Sequence, residues 1–228
     1  MSFAIDTRAD NVFADSNHSD RTNVSGPEDK AAGRTIDYEQ APLYRLIGFA
    51  DLIAAGEVIS VSESTFTFHI DEALIGEPNE SIIQVSKAIF MEFDEPRAIP
   101  YDSGQVFLVF LMKDATADHE LIWQSMSVAG GSEFPLEGEF VYFTGRFVQG
   151  LEHKDYLVHG VTRNIQRYDA SLFKQAIRGY RDCFNWPGES IYARRSPELL
   201  CNDSLLTNYR RQSGMHEYLA RETVKRIP

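Results

Sequence analysis

Two cysteines, Cys183 and Cys201, and six histidines are the side chains of this chain best suited to chemistry. Seventeen residues lie between the cysteines, which excludes a CxxC redox pair. They fall near the end of one expected helix and the start of the next, so a pair of helices could bring them together. In an oxidising compartment that spacing favours a disulfide, worth on the order of 3 kcal/mol through loop closure. In a reducing cytosol the same residues are two small, half-buried side chains. The histidines are His18, His69, His119, His153, His159 and His216. None forms HExxH, and none stands at zinc-finger spacing from a cysteine. His69 and Asp71, two apart on a strand, would place two metal ligands on one face. The polar outer face of a half-buried strand calls for the same residue types. His153-x-Asp155 and His159 carry the same double reading. Glu92, Asp94 and Glu95 offer oxygens to calcium but lack the glycine and spacing of an EF-hand, and read as a solvated loop. Gly131-Ser132-Glu133 is not a G-x-S-x-G elbow, and no glycine-rich phosphate loop or dinucleotide fingerprint is present. The expectation is therefore no cofactor and no nameable catalytic residue.

The elements that would position these groups are mainly β. Asp51–Val61 reads as a strand interrupted by Gly56, and a glycine there marks a bulge or sharp bend. After the polar turn Ser62-Glu63-Ser64, the next strand alternates: Phe66, Phe68 and Ile70 point one way, and Thr65, Thr67, His69 and Asp71 the other. Ser81–Val85 is a third strand, and Lys87–Pro100 an irregular excursion punctuated by Pro96 and Pro100. Gln105–Met112 (QVFLVFLM) is a continuous apolar run of strand length, expected at the centre of the sheet. Leu121–Val128 follows as a strand, then a turn marked by Gly130-Gly131 and Pro135. Glu139–Phe143 reads as an edge strand or a ribbon with Arg146–Val148, and Tyr156–Val161 as a last strand. Pro42–Ala50 has the spacing of a short helix. From Asp169, a capping residue, the apolar positions Leu172, Phe173, Ala176, Ile177, Tyr180 and Phe184 recur at three and four. A further helix is expected from Pro197 or Asp203 toward Arg211, with a break at Gly214 and a helical piece from His216 to Arg226.

Several of these stretches together resemble a known group. They are Ala50-Asp51-Leu52-Ile53 with Gly56, Phe66-x-Phe68-x-Ile70-x-x-Ala73-Leu74-Ile75-Gly76, Gly104–Leu111 and Gly130–Gly138. They are similar to bacterial proteins with a netrin/TIMP-like OB-fold, the barrel also found in tissue inhibitors of metalloproteinases. The resemblance covers Tyr44 to Phe147 and is structural rather than chemical. It implies a mainly β chain with α: a small closed OB-like barrel, a short N-terminal helix and a C-terminal helical hairpin. The metalloproteinase inhibitors place an amino-terminal cysteine on the protease zinc. No cysteine precedes Cys183 here, so inhibition by that wedge is not expected.

Residues 1–38 read as a disordered acidic and polar arm, 39–162 as the barrel domain, and 163–228 as a helical extension packed on it. The arm contains Asn17-His18-Ser19 and Asn23-Val24-Ser25, both matching the glycosylation pattern. No run reaches the roughly 18 apolar residues of a membrane-spanning helix. The opening residues lack the basic and apolar regions of a signal peptide, so the sequence as written points to the cytoplasm. The resembling proteins are commonly exported, which keeps the periplasm or secretion as the alternative. Charge is uneven: twelve Lys/Arg and seven Asp/Glu from Arg163 onward give +5, against −17 before it, within a total of −12. An acidic barrel repels phosphates, and the only Arg-Arg doublets, Arg194-Arg195 and Arg210-Arg211, lie in the tail, so nucleic-acid binding is not expected. The function expected is non-catalytic binding of another protein. The alternatives are a metal-dependent hydrolase around His69, Asp71 and the His153/His159 region, or an oligonucleotide- or polysaccharide-binding barrel.

Overall fold

The computed structural model describes residues 41–87, 99–113, 123–126, 131–144, 147–187 and 196–228. The expected arm with His18 and its two Asn motifs lies outside those residues, as do Glu92, Asp94, Glu95, His119 and Arg194-Arg195.

Five strands close into a barrel: β1 (Leu52–Val61), β2 (Thr65–Ile75), β3 (Ile82–Ser86), β4 (Val106–Lys113) and β5 (Trp123–Ser125). Their order is β1-β2-β3-β5-β4, and pairing of β1 with β4 completes the circle. Only β3 and β5 run parallel; the other barrel pairs are antiparallel. A five-stranded sheet must curl tightly to meet itself, and β1 does so by bulges. The β1–β2 register shifts between Ala55 and Gly56, as the lone glycine implied, and again at Ile53/Ala54 and Val58/Ser60. Val58, Phe66, Phe68, Ile83, Val85, Phe107, Val109, Leu111 and Trp123 fill the interior.

Strand β4 is buried on both faces, which explains its unbroken apolar run. Phe107, Val109 and Leu111 point into the barrel. Leu108 and Phe110 point outward, beneath a helical layer.

From β4 the sheet continues through β6 (Glu133–Glu137), β7 (Phe140–Phe143), β9 (Val161–Asp169) and β8 (Lys154–Val158). Three local expectations change here. The stretch around Pro135, read as a turn, is strand β6. Pairing with β4 ends at Phe107–Pro135 and pairing with β7 begins at Leu136–Val141, so the missing proline N–H falls at a handover between ladders. Strand β7, expected at an edge, pairs with β6 and β9, and Arg146 of the ribbon expected beside it lies outside the described residues. The stretch Tyr156–Val161 is a hairpin, not one strand: His159 and Gly160 turn the chain with φ of 46° and 77°. Strand β9 crosses position 162/163, and Tyr38–Pro228 forms one compact unit.

Gln166 on β9 is fully buried. Its amide accepts from Val148 N (2.6 Å) and donates to the carbonyls of Val148 (3.0 Å) and Leu151 (2.5 Å). Gln166→Leu strands those backbone groups away from water, so a loss of roughly 2 kcal/mol is expected in urea unfolding. A variant as stable as the parent would show that the 147–151 segment re-satisfies itself.

The helices are α1 (Leu43–Phe49), α2 (Ala170–Cys183), α3 (Asp203–Arg211) and α4 (Gly214–Val224), with a two-stranded ribbon, β10 (Phe184–Asn185) and β11 (Glu198–Leu199). Asp169 caps α2 by accepting from Leu172 N at 2.7 Å. The buried stripe is Phe173, Ala176, Ile177, Tyr180 and Cys183, and Phe184 is already extended. Asn202 caps α3, one residue before the expected Asp203, and Ser213 caps α4. All four helices contribute to one core with Ile53, Ala55, Leu108, Phe110, Phe134, Val141 and Phe143. Lys174 of α2 bonds Glu72 of β2 at 2.7 Å, and Arg178 bonds the same carboxylate, fastening the helix to the barrel.

Candidate functional site

The helical layer covers the first half of β1, the end of β2 and the β4–β6–β7 region, and leaves open the outer face of the second half of β1, the start of β2 and β3. The register sets Glu57, His69 and Ile82 in one cross-strand row. Ser60, Thr67 and Gln84 form the next. Ser60 Oγ donates to Thr67 Oγ1 at 3.0 Å, and Gln84 Nε2 to Thr65 Oγ1 at 3.3 Å. Ile59, set out by the β1 bulge, is 42% exposed; Ile82 is 49% and Val61, at the rim, 40%. Exposed Glu57, Glu63, Asp71, Glu77 and Glu80 surround them. Lys87 is the one cation in the sequence from Asp51 to Lys87, and its Nζ bonds the Ser62 and Glu63 carbonyls. The face thus sets two exposed isoleucines, Ile59 on β1 and Ile82 on β3, among polar and acidic side chains.

His69 and Asp71 meet on this face, Nδ1 to Oδ1 at 3.1 Å, with both side chains well exposed. No group of three or more His, Cys, Asp or Glu suited to a metal occurs among the described residues. His153 stacks on Phe147, with centroids 6.0 Å apart, and His159 stacks on Phe107 at 5.4 Å. Asp155 accepts from Asn164 at 2.8 Å. The structure thus joins His69 to Asp71, while His153, Asp155 and His159 sit on the β8–β9 arm with other partners.

Cys183 and Cys201 come together at disulfide distance, their Cα atoms 4.6 Å apart. The end of α2 delivers one and the residue before the Asn202 cap delivers the other. The β10–β11 ribbon holds them in register through Phe184–Leu199, and Leu200 N donates to Cys183 O at 2.8 Å.

Both tryptophans are buried. Trp123 lines the barrel interior. Trp186 stacks on Tyr44 (5.7 Å between centroids, 19° between planes) and donates Nε1–H to Tyr180 Oη at 2.8 Å. Neither offers a free ring face for a base or sugar. Of the described Arg-Arg doublet, Arg210 is held by both oxygens of Glu217, at 2.6 and 2.8 Å, beside a small cleft lined by Thr207, Arg211 and the pair itself.

One polar cluster escaped the sequence. Glu133 and Ser132 are fully buried and Ser125 nearly so. The two hydroxyls lie 2.7 Å apart, and both reach Glu133 Oε1, at 3.1 Å from Ser132. They occupy the fork where the edge of β4 passes from β5, at Leu111–Ser125, to β6, at Val109–Glu133. Phe110 spans the gap, donating to Ser132 O and accepting from Met126 N. Local sequence carries no signal for such a cluster, since its members converge only through the fork.

Comparison of the chain with protein-family models, with curated proteins and with solved structures gave no match.

Proposed function

We propose that this chain is a non-catalytic binding protein built on an OB-like barrel, and that it engages another protein through the open β1–β2–β3 face. The observation that carries the reading is the exposure of Ile59 and Ile82 on an otherwise polar, acidic wall. Exposed apolar side chains set among polar ones are a common feature of protein interfaces. Five strands closed in this order support the OB-like part of the reading. The acidic wall supports a protein partner over nucleic acid, whose phosphates it repels. The rival reading, a metal-dependent hydrolase, has the His69–Asp71 pair in its favour, which supplies two ligands of the three a catalytic zinc uses.

The cysteine pair at disulfide distance supports a non-reducing setting, hence the periplasmic or secreted alternative over the cytoplasm. No described helix is long and apolar enough to cross a membrane.

The test compares the full chain with its Ile59→Ser/Ile82→Ser double variant as bait in extracts of the native host. Partners that are retained by the parent and by Leu205→Ser on α3 should be lost, or weakened at least tenfold, with the double variant. Partners indifferent to Ile59 and Ile82 would overturn the assignment of the face. Tight, steeply salt-dependent binding of a labelled oligonucleotide would overturn the choice of a protein partner.

A further inference from the structure

His216 is in the first turn of α4 and is fully buried. Its Nδ1 lies 2.7 Å from Oγ of Ser213, the residue that caps the helix. Its ring packs edge-on against Tyr209 of α3, with centroids 4.8 Å apart. Its Nε2 is buried and has no hydrogen-bond partner. A neutral imidazole tolerates that place. An imidazolium would carry an unpaired N–H and a full charge into an apolar pocket, at the helix end that already bears positive partial charge.

The groups around it offer no counter-charge. Tyr209 commits its hydroxyl to Ala176 O at 2.9 Å. Arg210 and Glu217 neutralise each other outside the pocket. On β9, the Tyr168 hydroxyl accepts from Met215 N. On α2, Lys174 and Arg178 are held by Glu72, Arg181 bonds Ala50 O, and the Tyr180 hydroxyl donates to Thr223, which in turn donates to Leu219 O. On α1, Arg45 lies over the Trp186 ring. At the far end of α4, Glu222 is bound by Arg221 and Lys225, and Arg226 lies over the Tyr44 ring. Burial alone accordingly lowers the pKa of His216.

We propose that His216 makes the docking of α4 pH-sensitive, so that its protonation releases the C-terminal helices while the barrel remains closed. The sign follows from linkage. The released helix binds the proton with a pKa near 6.5 and the docked helix binds it less readily, so docking is complete above that pH and weakens as pH falls. The loss approaches tenfold in the docking constant per pH unit until the docked form itself titrates. Release uncovers the surface under Met215, Leu219 and Ala220 and breaks the Tyr180–Thr223 bond. At mildly acidic pH the protein would then present an apolar surface that is closed at neutral pH.

Hydrogen exchange read by mass spectrometry on the full chain, at pH 7.5 and 5.0 with labelling times scaled for intrinsic rates, tests this. Amides of residues 203–224 should lose at least tenfold in protection at the lower pH while β1, β2 and β4 keep theirs. His216→Gln and His216→Phe should remove the difference. Equal loss across the barrel, no loss in the parent, or the same loss in both variants would overturn the proposal. Should neither variant fold, NMR titration of the parent decides. A His216 that protonates at or above 6.5 with α4 still docked overturns it; protonation coupled to loss of α4 resonances supports it.

Discussion

Gly56→Ala should cost about 3 kcal/mol or more and leave little soluble protein. A Cβ at this position would fall on the carbonyl group of His69, well inside van der Waals contact with the oxygen and 2.9 Å from the carbon. The obstacle is backbone, so no rotamer change relieves it. Overpacking in a rigid setting typically costs 1–3 kcal/mol and more where the chain cannot move. Here the chain is held on both sides, because β1 pairs with β2 at Gly56–Ile70 and with β4 at Gly56–Phe107. Relief would mean moving the bulge that lets the barrel close. Against a total stability of roughly 5–15 kcal/mol, the loss would show as a large fall in the denaturation midpoint. A variant within 1 kcal/mol of the parent would mean that β1 can shift its bulge, and that the glycine is a convenience.

Replacing both cysteines, as Cys183→Ala/Cys201→Ala, should lower stability by about 3 kcal/mol, the chain-entropy figure for a loop of this size. For a domain of this length that corresponds to a fall in Tm of roughly 6–12 °C. The bond would close the loop between α2 and α3, fix the β10–β11 ribbon and place the Asn202 cap. Reductant should lower the Tm of the parent by a similar amount and leave the double variant unchanged. Alkylation of two free thiols in the natively purified protein would remove the bond, and with it the support for a non-reducing compartment.

Most of the barrel could be read from residues in order. Phe66 and Phe68 alternate because one face of β2 is dry and the other wet, and that period survives in any local window. The run Gln105–Met112 announced a central strand, though not that both its faces are covered. Asp169 and the three-and-four spacing after it gave α2 almost to the residue. What failed to show was set by partners distant in sequence. Strand β9 reads Val-Thr-Arg-Asn-Ile-Gln-Arg-Tyr-Asp, and only Ile165 and Gln166 of it are buried, so it carries no apolar period. Pro135 argued against a strand because its tolerance depends on where two ladders meet. The candidate site was legible as polar alternation at His69 and Asp71. Its exposed isoleucines were hidden, since Ile59 faces outward only through a bulge and Ile82 only through the β2–β3 register. The burial of Glu133 and His216 likewise depends on neighbours from other elements.

Strand β4 belongs to two cores at once. Alternate residues of one eight-residue segment serve the barrel interior and the helical layer. A side chain lost from either face loosens the same backbone, so damage to one core is felt as strain in the other. Partition of this chain into a barrel and an appendage is therefore a description of its sequence, and not of its cooperativity. The barrel and the layer that covers β4 should melt as one transition. Helix α4 shares the helical core but pairs with no strand, so its release need not part β4 from its neighbours.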